Sequence, residues 1–134
     1  MQDKAPQTFT GNGAGNVVPA AGQRYLCPNG LNVALATDPD MAEIIVQETT
    51  KIERFRVKTT SAQPTGNTGL SLQLVVNGVV VSTQVICTPG EAAGAHEGNF
   101  VNGPFDLRED DRVCLGLLNT GSGNSAKIGA FAIG

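Results

Sequence analysis

The pattern of apolar and polar residues along the chain predicts short β-strands, most clearly around the pair Asn77-Gly78. Two apolar runs, 70–76 and 79–87, flank this pair. Asn-Gly favours a two-residue type I′ turn, because both central positions of that turn need a positive φ. We therefore expect a β-hairpin in which Val76 faces Val79 on the same side of the sheet.

A regular hairpin divides its residues between two faces of the sheet. The inward set is then Leu70, Leu72, Leu74, Val76, Val79, Val81, Thr83, Val85 and Cys87. The outward set is Ser71, Gln73, Val75, Val80, Ser82, Gln84 and Ile86. A shift of one residue in the pairing would exchange the two faces.

Other parts of the chain repeat the strand pattern between loops rich in Gly, Pro and Asn. Residues 51–59 alternate strictly, with Glu53, Phe55, Val57 and Thr59 on one face and Ile52, Arg54, Arg56 and Lys58 on the other. Further strands are expected within 43–47, 99–107, 112–119 and 125–133, and a short helical turn at 38–40. About seven to eight short strands without a helical period predict an all-β antiparallel sandwich or jelly roll.

The first 22 residues carry Gly, Pro, Asn and Ala without a sustained period. One interpretation is a disordered tail. The other is an extended arm that orders against a neighbouring subunit, with Phe9, Val17 and Val18 as anchors. The expected organisation is an extended N-terminal arm at 1–22 followed by a β-sandwich domain at 23–134.

Composition narrows the classes of function. The 134 residues suit one domain, and a net charge of −3 lacks the basic excess of a nucleic-acid binder. We find no apolar run long enough to cross a membrane and no signal-peptide pattern at the first residues, so we expect a protein that is made in the cytoplasm and accumulates where it is made. Neither a phosphate-binding loop nor a Gly-x-Ser-x-Gly motif occurs, and no cofactor is expected.

The residues most often used in catalysis are few. The spacings of Cys27, Cys87 and Cys114 match no zinc or redox motif, so reduced and mostly buried thiols are expected, with a Cys87–Cys114 disulfide as the alternative. His96, the single histidine, lies in a Gly- and Ala-rich loop where a solvated side chain is expected. The acidic turn at 108–111 is interpreted as a solvated hairpin turn. Without a nucleophile, base and orienting group, a non-enzymatic protein is predicted.

From about Ile44 to its end, the chain resembles a small β-domain of tailed-bacteriophage virion proteins. The resemblance rests on an ordered series of features: IERFRVKT, the loop SAQPTGNTG, the run LSLQLVVNGVVV, a Gly-rich loop, PFDLREDDRVCLGLLNTG and a final apolar strand. The chain is similar also to the short jelly rolls of trimeric spore-surface and tumour-necrosis-factor-like proteins.

This resemblance implies a structural role in a virion. Such modules occur as capsid cement (decoration) proteins on the outside of the head and as knobs of head or tail fibres. The short segment before the sandwich favours cement, in which a homotrimer bridges subunits of the major capsid protein and stabilises the shell. A receptor- or glycan-binding knob is the alternative, although the chain has no Trp and a single Tyr.

Two surfaces are candidate contacts. The outward apolar residues Val75, Val80, Ile86 and Leu118, with Cys114, are expected to form an oligomer interface. The alternative is that a neighbouring loop or the N-terminal arm covers this patch. The stripe Arg54, Arg56 and Lys58, together with Phe9, is the candidate capsid-docking surface, and a charged solvent face is its alternative.

Overall fold

The computed structural model describes residues 8–66 and 69–134, which form an all-β sandwich of largely antiparallel strands. The strands are β1 (Phe9–Asn16), β2 (Gln23–Leu26), β3 (Gly30–Leu31), β4 (Ile44–Ile45), β5 (Thr50–Ile52), β6 (Arg54–Thr59), β7 (Leu70–Val76), β8 (Val79–Cys87), β9 (Gly94–Asn99), β10 (Phe105–Leu107), β11 (Arg112–Asn119) and β12 (Ile128–Ile133). A single 3₁₀ turn occurs in these residues, at Pro39–Met41, where a short helical turn was expected. The strands outnumber the seven to eight expected, because several are segments of two to four residues.

Two sheets pack face to face around one core. Sheet I has the strand order β3-β1-β12-β6-β9, and sheet II has the order β2-β11-β7-β8, with β4 paired to the start of β11. A separate two-stranded ribbon joins β5 and β10. Side chains from the inner faces of both sheets form the core, among them Val57, Leu72, Leu74, Leu115 and Phe131. No helix in the described residues is long and apolar enough to cross a membrane.

The alternation predicted for residues 51–59 is confirmed from Arg54 to Thr59, where exposed and buried side chains alternate. It fails at Ile52, which was assigned to the outer face and is fully buried. The strand is interrupted at Glu53, whose N–H donates to the carbonyl of Gly134. Arg54 N–H donates to the same oxygen. This interruption shifts the alternation of buried and exposed side chains by one residue, so that Ile52 points towards the core.

The described part of the predicted N-terminal arm belongs to the sandwich. β1 pairs along β12, with Phe9 opposite Ile133. The Phe9 side chain is 2% exposed and Val18 is fully buried, both in the core of their own chain. Phe9 is therefore a core residue and not an available docking contact, which corrects that assignment. Residues 1–7 of the predicted arm lie outside the described residues.

The hairpin turn forms as predicted, but the strand after it contains two irregularities. Asn77 and Gly78 both have positive φ, 52° and 79°, and Val76 pairs with Val79. The pairing then shifts near Val81 and again near Ile86. Each shift corresponds to a β-bulge, in which one extra residue of β8 has no partner on β7.

Between the two bulges, the predicted faces are exchanged. Ser82 pairs with Leu74 and is 3% exposed, whereas Val85 pairs with Ser71 and is 57% exposed. Ile86 is predicted to point outward, yet it is 6% exposed and packs in the main core. The second bulge shifts the alternation of the two faces back by one residue, so that Cys87 lies inward as expected.

A second, smaller apolar cluster lies on the outer face of sheet II. Val75 and Cys114 pair with each other and do point away from the main core. Ala42 packs on them, with Tyr25 and Ala36 at the edge. The segment 36–42 thus covers the patch, which was the alternative to an oligomer interface. Of the four residues assigned to that interface, Val80 is exposed, Leu118 is half-buried, and Val75 and Ile86 are buried.

Candidate functional site

The outer face of sheet I carries the three cations of the predicted stripe. Because β6 alternates, the exposed side chains of Arg54, Arg56 and Lys58 lie on the face opposite Phe55 and Val57. The neighbouring strands place small residues beside them, since Arg56 pairs with Ala132 of β12 and Lys58 with Ala95 of β9. We call this surface, Arg54, Arg56 and Lys58 with Ala95, Ala130 and Ala132, the basic face.

Small side chains make the basic face concave. A cleft of about 270 Å³ is lined by Arg56, Lys58, Phe131 and the three alanines of the basic face. A second cleft, of about 300 Å³, lies beside Arg54 and Arg56 and reaches Gly134. The two clefts share Arg56, so cationic side chains flank a shallow, mostly apolar depression.

One acidic residue moderates the charge of this face. Glu97 pairs with Arg56 across β9 and β6, and its Oε2 lies 3.1 Å from Nε of Arg56. Both side chains are more than half exposed, so the ion pair contributes little to stability and competes weakly with an incoming anion. The side chains of Arg54 and Lys58 are exposed to solvent at this face.

A polar cluster that the sequence did not predict lies between the end of β8 and the edge strand β9. His96 pairs with Val57, and its side chain therefore points inward and is 9% exposed instead of solvated. Nδ1 of His96 lies 2.5 Å from Oε2 of Glu91, and Nε2 lies 2.9 Å from the Thr59 hydroxyl oxygen. The Cys87 sulfur completes the cluster, with one ligand atom each of Cys87, Glu91 and His96 within 4.8 Å of one another.

Local structure holds Glu91 in place. Its Oε1 accepts hydrogen bonds from the N–H and the hydroxyl of Thr88, at 3.1 and 3.0 Å. The Thr88 N–H bond is the largest influence that holds the pKa of Glu91 below its usual value, with further help from the Thr88 hydroxyl and His96. The Glu91 carbonyl also accepts the N–H of Gln63, at 2.9 Å. The carboxylate is therefore ionised at neutral pH and fixed beside the imidazole.

Neither hydroxyl nor thiol in this cluster is placed as a nucleophile. Thr59 is 1% exposed, and its hydroxyl oxygen is also within 3.4 Å of the backbone N and O of Gly94. Burial, and secondarily the charge of Glu91, raises the pKa of the Cys87 thiol to about 12. The reactive form of a cysteine is the thiolate, which this environment disfavours. A polar cleft of about 320 Å³ nevertheless reaches His96 and Glu91 from solvent.

The remaining thiols are free and separate from this cluster. Cys114 belongs to the small apolar cluster of sheet II, and burial raises the pKa of its thiol to about 12. Cys27 is half-buried at the end of β2. Cys87 and Cys114 lie in different apolar clusters, so the structure holds all three cysteines as thiols.

The acidic turn before β11 is a hydrogen-bonded structure. Asp111 Oδ2 accepts the N–H of Arg108 at 2.8 Å, and Oδ1 accepts the side-chain amide of Asn77 at 3.0 Å. The Asn77 Oδ1 accepts the N–H of Arg112 at 2.9 Å. Asp111 thus closes its own turn and ties it to the Asn77-Gly78 hairpin, in agreement with the interpretation as a turn.

Comparison with known proteins finds neither a matching family model nor a matching curated protein. Among solved structures, a family 35 carbohydrate binding module from Clostridium thermocellum shares 14% identity and a TM-score of 0.43 over 68% of this chain and 66% of its own. A family 35 carbohydrate binding module from an environmental isolate shares 14% identity and a TM-score of 0.42, over 69% of this chain and 62% of its own. The CBM36-1 domain of a multidomain xylanase from the hindgut metagenome of Trinervitermes trinervoides shares 11% identity and a TM-score of 0.37, over 96% of this chain and 95% of its own.

These similarities are too low to assign the chain to a family. The chain spans about two thirds of the length of the two family 35 modules. The likeness is one of β-sandwich architecture, and the bacteriophage resemblance in the sequence has no counterpart among these structures.

Proposed function

We propose that the protein is a non-enzymatic structural protein of a tailed-bacteriophage virion, a capsid cement protein that docks on an acidic surface of the major capsid protein. The basic face is the observation that carries this proposal. Three cations at a period of two residues on β6, a strand that is paired on both sides, present a regular array of positive charge. The same chain has a net charge of −3, so this concentration of positive charge is local.

The shape of the basic face supports contact with another protein. Its floor is formed by alanines of β9 and β12, which allow a partner side chain to approach the sheet closely. The long aliphatic stems of Arg and Lys border this floor and contribute apolar contact while their charged ends stay hydrated. A complementary acidic patch would gain orientation and association rate from the charges and contact area from the cleft.

Stabilisation of a shell follows from binding that prefers the assembled state. A protein that contacts two or more neighbouring capsid subunits binds only where those subunits are already adjacent. Such differential affinity stabilises the assembled shell by mass action. The virion location and the major capsid protein as partner are parts of this proposal.

The test is charge reversal on the basic face. The variant Arg54→Glu, Arg56→Glu, Lys58→Glu is expected to bind purified capsids lacking the protein about 10- to 100-fold more weakly, since each charge contact contributes about 1 kcal/mol or less. Co-sedimentation at several salt concentrations measures this affinity. The matched control Lys51→Glu, Arg108→Glu, Lys127→Glu makes the same change in net charge at three exposed cations outside the basic face. Equal binding by the two variants would contradict docking through the basic face.

A glycan-binding knob is the second candidate function. Sugar recognition commonly stacks the pyranose ring on exposed aromatic side chains. Phe9, Phe55, Phe100 and Phe131 are at most 7% exposed, and Tyr25 and Phe105 are half-buried. Reproducible binding on a glycan array, combined with no binding to capsids, would favour this second function.

We also infer self-association, as a trimer, through a smaller surface than the sequence suggested. Val80 is 45% exposed beside the buried Val75, on the outer face of sheet II. Ile45 pairs with Arg112, next to the inward Val113, and so lies on the same outer face. Met41, beside the covering Ala42, is 78% exposed. Val80, Ile45 and Met41 are the apolar residues available for such an interface.

A further inference from the structure

We propose that Cys87, Glu91 and His96 form a binding site for a divalent transition metal, zinc foremost. These three residues place a sulfur, a carboxylate oxygen and an imidazole nitrogen within 4.8 Å of one another. Thiolate, imidazole and carboxylate are the ligands that zinc takes in proteins, and three such ligands leave a fourth position for water or a partner group. None of the three ligands belongs to the basic face, and the His96 side chain points to the opposite side of β9 from Glu97.

The distances suit a metal after a small adjustment. Bond lengths of about 2.0 to 2.3 Å at tetrahedral angles separate ligand atoms by about 3.3 to 3.7 Å. The Glu91 oxygen and His96 nitrogen must move apart from 2.5 Å, and the sulfur must move towards them by about 1 Å or less. Separation of the Glu91 oxygen from the imidazole requires a rotation of this half-exposed side chain against the hydrogen bonds that Thr88 donates to it.

The hydrogen bond at Nε2 of His96 suits a metal bound at Nδ1. When Nδ1 binds a metal, Nε2 carries the proton and needs an acceptor. The Thr59 hydroxyl lies 2.9 Å from Nε2 and is itself close to the Gly94 carbonyl, to which it donates. A hydrogen bond of this kind fixes the tautomer and the ring plane of metal-binding histidines. Thr59 is therefore a positioning residue of the proposed site.

The three ligands form a path from solvent to the core. Glu91 has a 36% exposed side chain at the polar cleft, His96 is 8% exposed behind it, and Cys87 lies deepest in the core. An entering ion would meet the carboxylate first and the sulfur last. Binding would release the thiol proton, because a coordinated sulfur is a thiolate.

The ligand set also selects among metals. Ca²⁺ and Mg²⁺ prefer shells of oxygen ligands and bind poorly to sulfur. Zn²⁺ and Co²⁺ accept all three ligand types, and Cu²⁺ would compete by its general affinity. We therefore expect binding of Zn²⁺ and Co²⁺ but not of Ca²⁺ or Mg²⁺.

The experiment uses the full chain without a histidine tag, so that His96 is its only histidine. After dialysis against a chelator, Co²⁺ is titrated and the thiolate-to-cobalt charge-transfer absorption is measured, followed by displacement with Zn²⁺. We expect one metal ion per chain and an increase in the thermal unfolding temperature with Zn²⁺. Cys87→Ser and His96→Gln are expected to lose the absorption band, whereas the matched control Cys114→Ser keeps it.

Two further variants test the site without removing either of its buried ligands. Glu91→Gln changes a half-exposed residue and is expected to weaken binding at least 10-fold. Thr59→Val is expected to weaken it about 10- to 100-fold through the lost hydrogen bond to the imidazole. A wild-type protein without the cobalt–thiolate band, or binding unchanged by Glu91→Gln, would overturn the proposal.

Discussion

At the scale of single residues, Asn77 has two structural roles. Its positive φ forms the type I′ turn with Gly78, and its side chain bonds to Asp111 and to the backbone of Arg112. Its own N–H also donates to the Arg112 carbonyl, at 2.7 Å. The two turns at this end of sheet II are therefore held together by one amide side chain.

The carboxylate of Asp111 makes this connection dependent on pH. Hydrogen bonding by the Arg108 N–H, and secondarily by Asn77, lowers the pKa of Asp111 from its usual value. A carboxylate with a lowered folded pKa adds stability above its unfolded pKa, and this contribution is lost as the pH falls through the folded pKa.

We expect Asp111→Asn to lower the free energy of unfolding by less than about 1 kcal/mol at neutral pH, because the group is exposed and screened. The difference between wild type and variant should begin to shrink below about pH 4, where Asp111 of the unfolded chain becomes protonated, and should be lost as the pH falls through the lowered folded pKa. Urea unfolding at about pH 7, 5 and 3 measures this difference in the free energy of unfolding. A difference that stays constant over this range would contradict a role for the ionised carboxylate.

At the scale of elements, the bulges of β8 decide which side chains reach the core. Val85 and Ile86 are adjacent and both aliphatic, yet the first is 57% exposed and the second 6%. A regular hairpin would give the reverse. The inward polar positions between the bulges are satisfied locally, since Gln84 Nε2 donates to the Leu72 carbonyl and Gln84 Oε1 accepts the Val101 N–H.

Substitution of these two neighbours tests the register directly. Ile86→Ala is expected to lower the free energy of unfolding by about 2–4 kcal/mol, since it removes buried methylene groups from a packed core. Val85→Ala is expected to change it by about 0.5 kcal/mol or less. Chemical denaturation of the wild type and both variants provides the measurement. The dependence of the free energy of unfolding on denaturant concentration should be equal in all three. A larger effect at Val85 than at Ile86 would support the regular hairpin instead.

Local signals account for the parts of the fold that the sequence predicts correctly. Asn77-Gly78 specifies a turn by its own backbone preferences, the alternation of β6 is continuous from Arg54 to Thr59, and β11 occupies the predicted range Arg112–Asn119. The bulges have no such signal. A run of valines such as 79–81 suits either face of a sheet, so the register there is set by packing against sheet I.

The candidate metal cluster escaped prediction for a different reason. Gly94–Asn99 is rich in Gly, Ala and Glu, which have low β-propensity, and it becomes an edge strand only by pairing with β6. That pairing turns His96 inward. The spacing of Cys87, Glu91 and His96 within ten residues after an apolar strand was the available signal, although it matches no established motif.

At the scale of the whole molecule, the proposed assembly depends on a small apolar surface. Met41, Ile45 and Val80 are exposed in the protomer, whereas the larger patch at Val75 and Cys114 is covered by its own chain. Self-association through so few residues would be concentration-dependent.

Light scattering after size exclusion, over micromolar to millimolar concentrations, is expected to show a trimer that Val80→Lys converts to a monomer. Val85→Lys introduces the same charge at another exposed valine of β8 and is the control. A wild-type protein that remains monomeric at every concentration would remove the trimer from the proposed function.

The position of β12 has a consequence for how the chain folds. This strand lies between β1 and β6. Sheet I is therefore incomplete until residues 128–133 pair with residues 9–16 from the other end of the described chain. Bringing such distant segments together costs chain entropy before any contact is gained. Sheet II, built mainly from 70–87 and 112–119, has closer partners and can form first. We therefore expect slow refolding in which sheet II provides the surface on which sheet I assembles.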